Sequence, residues 1–167
     1  MSDNTLRELV YGKGAHVSPL ACVDDITAEL AMRTVASYPH SIWQIVLHMN
    51  YWMDYDLRTI AGENPPYPAH AIESWPNHPK PTTEEQWKTT SRSFAELLAR
   101  VASLADSDSA QLERVIVKFG PATSRRECTM HTALWEITAH NSYHAGQIAL
   151  LRRQAGAWPP ERGGDTW

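Results

Sequence analysis

Residues 129–155 read as one long helix stopped by Gly156, and the stripe of that helix that must face a core contains two histidines. Successive helical residues turn by about 100°, so positions four apart lie about 40° apart, one turn above the other. His140 and His144 therefore point the same way, and Ala133, Ile137, Ile148 and Leu151 share their face. A buried imidazole is unfavourable unless its ring nitrogens find partners. Two stacked imidazoles must also avoid charging together. Any fold for this chain has to meet that condition. Two solutions are open from the sequence. Each ring hydrogen-bonds a neighbour and packs, or both are neutral ligands of one divalent metal, for which imidazole is well suited.

Partners for those rings have to come from other elements, and the chain marks out four long helices. The first is expected from Ser18 as cap, with Pro19 at the first helical position and Asp24 and Asp25 near the positive end of the dipole. Leu20, Val23, Ile26 and Leu30 supply its apolar stripe, and Pro39 closes it. A short helix over residues 4–10 precedes it, ended by Gly12 and Gly14. The second long helix begins where Ser41 and Gln44 have capping-box spacing and runs to about Ile60, with Gly62 as its stop. Residues 63–81 hold six prolines and are expected as an extended surface loop.

Thr82 and Glu85 have capping-box spacing ahead of a third helix, along which Trp87, Phe94, Leu97, Leu98, Val101 and Leu104 recur at helical intervals. Alternation at Val115, Val117 and Phe119 marks an extended connector or a short strand. The expected fold over residues 1–167 is one all-α domain, a four-helix bundle with a long connector between helices two and three and an irregular C-terminal tail.

Composition narrows the function. Lys plus Arg number 15 against 19 Asp plus Glu, a formal charge of −4, which gives no electrostatic footprint for nucleic acid. No apolar run approaches the roughly 18 residues of a membrane span. The N-terminus lacks the basic-then-apolar pattern of a signal peptide, so the expected location is the cytoplasm. Cys22 and Cys128 lie far apart outside any CxxC, and are expected as reduced thiols.

A third ligand for the histidine pair must come from another helix, and His48 is the candidate. It lies at the shoulder of the second helix's apolar stripe, one turn after Gln44 and on the Trp52 side. On helical geometry alone, simple packing beside Trp52 is equally open. His131 is about half a turn out of phase with the pair. His70 and His78 fall in the proline-rich stretch and are expected to be solvated, while His16 and His40 precede helices and could line the mouth of a pocket. Trp43, Trp52, Trp87 and Trp135 stand at helical spacing and are expected in the core, whereas Trp75, Trp158 and Trp167 lie outside the helices and could close a pocket or bury a dimer surface.

The segments HSIWQIVLHMNYW and AHNSYHAGQIALLRRQAGAWPP, with GGDTW at the end, together resemble the DinB-like (YfiT-like) superfamily of metal-dependent enzymes. The resemblance spans nearly the whole chain and includes the H-x3-H-x-G-Q-I ending of the last helix. It implies a four-helix bundle, a homodimer, and one divalent metal per chain held by His48, His140 and His144. The metal expected is zinc or nickel, with iron or manganese also accepted by three imidazoles. Characterised members of that superfamily include S-transferases and an isomerase that use low-molecular-weight thiols. The expected activity is therefore an S-transferase in which a metal-bound thiolate attacks an electrophilic small molecule. The alternatives are a hydrolase using metal-bound hydroxide and a non-catalytic metal-binding stress-response protein. Ligating imidazoles need acceptors at their second nitrogens. Gln44 and Glu136, each one turn before a ligand, are the candidates; Gln147 is counted with them behind the ligands and could instead contact substrate.

Overall fold

The computed structural model describes residues 5–35 and 38–161. Its helices are α1 (Thr5–Val10), α2 (Ala28–Met32), α3 (Ile42–Ile60), α4 (Glu84–Ala105), α5 (Ser109–Leu112) and α6 (Met130–Gln154). Strands β1 (Val115–Phe119) and β2 (Arg125–Thr129) form an antiparallel hairpin between α5 and α6, with Val115 opposite Thr129 and Phe119 opposite Arg125. Short 3-10 turns occupy Ala71–Ser74 and Pro121–Thr123.

Three long helices build the core. Helix α3 packs against both α4 and α6, burying Trp43, Met49, Phe94, Leu98, Leu134 and Ile148 almost completely. Each such side chain contributes roughly 1.5–3 kcal/mol relative to exposure. The two fully buried indoles among the described residues keep their N–H groups bonded: Trp43 donates to Thr90 Oγ1 at 3.1 Å and Trp87 to the Ile26 carbonyl at 2.8 Å. Trp135 departs from its expected core position, since it faces outward and is 49% exposed.

The start of α3 is the expected capping box, with Ser41 Oγ accepting from Gln44 N and Gln44 Oε1 accepting from Ser41 N. For α4 the box lies one residue later than expected, on Thr83 and Gln86. Thr82 instead donates its hydroxyl to the Pro79 carbonyl.

The expected first long helix does not form. Residues 19–25 are turns, and only the five residues of α2 are helical. The reason lies in competing donors. Continuing the helix would need the carbonyls of Ala21, Cys22 and Ile26 for its own ladder. Arg152, 2% exposed on α6, takes the first two at 3.3 and 2.9 Å, and Trp87 takes the third. The same guanidinium grips the Asp25 carboxylate at 2.7 and 3.1 Å, and Thr27 caps a fresh start at α2. Among the described residues the fold thus has three long helices, α3, α4 and α6, and three short ones, α1, α2 and α5, rather than the four long helices expected. Leu20, Val23, Ile26 and Leu30 still turn wholly or partly inward. Ala36 and Ser37, within the expected helix, lie outside the described residues, as do Trp167 and the rest of the tail beyond Glu161.

The connector 63–81 is not merely a surface loop. Its 3-10 turn folds onto α3, where Ser74 is 2% exposed and Trp75 packs against the core. Among the described residues, no helix is long and apolar enough to cross a membrane.

Candidate metal centre

Helices α3 and α6 bring three imidazoles together where they pack. His140 Nε2 lies 3.2 Å from His48 Nε2 and 3.1 Å from His144 Nε2, and one nitrogen from each ring falls within 4.8 Å of the others. His48 and His144 are buried, at 6% and 4% exposure, and His140 is half-buried.

The far side of two rings is tied down. His48 Nδ1 donates to the Ser74 carbonyl at 2.6 Å. His144 Nδ1 donates to Gln147 Oε1, also at 2.6 Å. A carbonyl or amide oxygen can only accept, so the ring proton of each sits on Nδ1 and its Nε2 is a bare lone pair. Three Nε2 atoms thus face one another with at most one proton among them, on His140. One proton cannot serve both of the contacts that His140 makes.

Charging the rings is no remedy. Burial pushes the pKa of His48 down to about 4, with the neighbouring His144 and His40 adding to the effect against the opposing Ser74 bond. Burial, then His144 and His48, pushes His140 down to about 3, and burial also lowers His144. All three are neutral at pH 7.

Convergent neutral lone pairs are what a cation needs. At bonds of about 2.1 Å, ligand nitrogens subtending roughly 90–109° stand about 3.0–3.4 Å apart, and the separations of 3.1 and 3.2 Å fall in that interval. The residues fit a divalent metal. His140 departs from the pattern in one respect: its buried Nδ1 has no well-formed hydrogen bond among the described residues.

The acceptors at the second nitrogens are only in part those expected. Gln44 is engaged in the α3 cap. Both oxygens of Glu136 are bonded by Arg126, at 2.7 and 2.8 Å, and Lys118 adds a further contact at 3.0 Å. Gln147, a candidate both for substrate contact and for a place behind a ligand, stands behind His144. The Ser74 carbonyl is the acceptor that sequence reasoning missed, and as a backbone group on an irregular segment it leaves no mark in residue type.

Trp75, expected to close a pocket or bury a dimer surface, packs on the histidines. Its indole lies flat between His48, at 3.8 Å and 7°, and His40, at 3.7 Å and 8°. Trp52 meets His48 edge-on at 6.3 Å. The remaining histidines stand apart from the three. His16 bonds Ser142 and the Val17 carbonyl, and His131 opens onto a different cavity beside Leu6 and Trp135. His70 is exposed, whereas His78, expected in solvent, is half-buried beside Trp43. Cys22 and Cys128 are free thiols; burial pushes Cys22 up to about 12, which leaves it inert.

A family model described as the DinB superfamily matches residues 19–148, the span that contains all three histidines. Among solved structures, the chain is similar to a DinB-like protein from Bacillus cereus ATCC 10987, with a TM-score of 0.56 and 17% identity over 83% of each chain. That likeness is one of fold. No curated protein matches the chain.

Proposed function

We propose, with this chain's membership of the DinB superfamily as the premise, that His48, His140 and His144 hold one divalent metal ion and that the loaded protein is an S-transferase. It would join a low-molecular-weight thiol to an electrophilic small molecule. The observation that supports this most is the meeting of three neutral Nε2 atoms, two of them on rings whose Nδ1 protons are already placed. Zinc or nickel suits three imidazoles best, followed by iron and manganese. A cation so held supplies Lewis acidity, lowering the pKa of a thiol or water that reaches it.

The surroundings favour a thiol over water. The Ser74 carbonyl and the Gln147 amide bonded to the rings cannot take a proton, and the Glu136 carboxylate is occupied by two cations. A free thiol ionises near 8.5 and bulk water near 15.7. With Glu136 so occupied, the site suits the group that needs least help to deprotonate.

Elemental analysis should find close to one metal per chain in the wild type and little in His144→Ala. Loaded wild type should then conjugate thiols to a chromogenic halodinitrobenzene. A metal-free wild type would sink the metal reading. Ester or amide cleavage with no thiol present would replace the transferase by the hydrolase.

We also propose a homodimer. Trp135, Ala139, Tyr143, Gly146 and Leu150 are all exposed and carry no charge, and at 100° per residue they fall within about 80° of one another on α6. A helix apolar on its outer face as well as its inner one calls for a covering surface. Sedimentation of the wild type beside Tyr143→Glu tests this, the variant being expected as the monomer.

A further inference from the structure

Beyond Trp52, the groove between α3, the proline-rich connector and the β1–β2 hairpin opens into a cavity of about 340 Å³, within the size range of small-molecule sites. Trp52 and Asp56 follow His48 by one and two turns, so the cavity begins about 6 Å along α3 from the histidines and reaches to about 12 Å. It adjoins the metal centre and contains none of its ligands.

Its walls are aromatic. Trp52, Tyr55 and Tyr67 contact one another pairwise, with centroids 5.4, 5.5 and 5.8 Å apart. Its floor is ionic. Lys118 Nζ sits 2.8 Å from Asp56 Oδ1 and 3.0 Å from Glu136 Oε2, and Arg126 Nη2 holds Glu136 from the other side. Of these four charges, Asp56, Lys118 and Arg126 line the cavity while Glu136 stands behind, so the lining presents two cations and one carboxylate.

Among the described residues, donors remain to be used. An ammonium has three N–H groups, and two on Lys118 are engaged; Arg126 meets Glu136 through Nη2 alone, with its side chain 55% exposed. Burying an ionic pair such as Asp56–Lys118 rarely adds stability over a well-packed apolar pair. Such a pair facing an aromatic pocket is better accounted for by recognition.

We propose that this cavity binds a flat aromatic carboxylate, its ring against Trp52, Tyr55 and Tyr67 and its carboxylate on Arg126 and the spare N–H of Lys118. Resting on the transferase reading above, that ligand carries the electrophile: the thiolate's electron pair would form a C–S bond at one of its carbons, and a halide on that carbon would leave with the bonding pair. The guanidinium supplies a planar fork that matches a carboxylate, and the three rings supply edges and faces for offset or T-shaped contact.

Isothermal titration calorimetry with 2-naphthoate and its neutral counterpart 2-naphthamide tests the site in the full chain. The expected results are one naphthoate per chain, at least tenfold weaker binding of the amide to the same wild-type protein, and about tenfold weaker naphthoate binding to Arg126→Gln. His144→Ala should bind naphthoate as the wild type does, because the cavity uses no histidine of the metal centre. Absence of saturable binding overturns the proposal, and so does equal affinity for acid and amide. Loss of naphthoate binding in His144→Ala also overturns it, by moving the ligand to the histidines. Retained naphthoate binding in a wild type that carries no metal leaves the cavity standing and removes the transferase reading alone.

Discussion

Replacing Gln147 by leucine isolates what the support of a metal-ligating ring is worth. Gln147 Oε1 accepts the Nδ1 proton of His144 at 2.6 Å, and His144 is only 4% exposed, so no solvent replaces the lost acceptor. Two routes give the magnitude. A buried donor left without a partner costs about 1–3 kcal/mol. Loss of the group that orients a metal-bound histidine weakens metal affinity about 10–100-fold, equivalent to about 1.4–2.7 kcal/mol. The two agree, so metal affinity should fall by one to two orders of magnitude in Gln147→Leu. At saturating metal the melting temperature should then lie roughly 3–10 °C below that of the loaded wild type. Gln147→Glu keeps an acceptor, with a charge that strengthens the bond, and should hold the metal at least as tightly as the wild type. Competition with a chromophoric chelator measures all three proteins. Leucine and wild-type affinities within twofold of each other would refute the assignment of His144 Nε2 as a ligand oriented from its far side.

Acid should destabilise the metal-free protein through the same rings. His48 and His140 fall to about 4 and 3 in the folded chain from an ordinary 6.5. The unfolded chain therefore binds more protons between those values, and stability present above pH 6.5 is lost as pH falls toward 4. Melting of chelator-treated protein from pH 7.5 to 4.5 reads this, and a flat profile contradicts it. Arg152→Met removes the partner of Asp25 and the donor to two buried carbonyls. Breaking such a pair is destabilising by about 3–5 kcal/mol, which denaturant titration would detect as a lowered midpoint; a change under about 1 kcal/mol would mean that the pair is effectively solvated. Glu136→Gln should leave metal stoichiometry at the wild-type value, because the carboxylate serves Arg126 and Lys118 rather than His140. Elemental analysis showing metal loss in that variant would restore the role first expected of Glu136.

Residues reached by counting along a helix were legible; those reached through irregular backbone were not. His140 and His144 follow from a 100° step, and α6 carries them as that step requires. His48 needed only a neighbouring helix to face them. The first helix failed on a contact that no local pattern contains. An arginine near the end of α6 reads as a solvent-facing complement to the dipole, yet Arg152 is buried and takes the carbonyls that would have continued the helix 130 residues earlier in the chain. Thr82–Glu85 and Thr83–Gln86 share one spacing, so the pattern alone could not choose between them. Strand β2, with the sequence RRECT, offers no apolar alternation because most of it faces solvent. The connector is the instructive case. Its six prolines made it look solvated, and the inference from proline to surface treats a missing N–H only as something the segment lacks. A segment that cannot form a ladder also leaves carbonyls unclaimed by its own backbone, and a buried N–H elsewhere can use one. His48 uses Ser74 in that way, with Trp75 stacked on its ring from the next position. The same prolines that argued against a role for residues 63–81 are thus part of why this stretch can hold a ligand's imidazole in one tautomer.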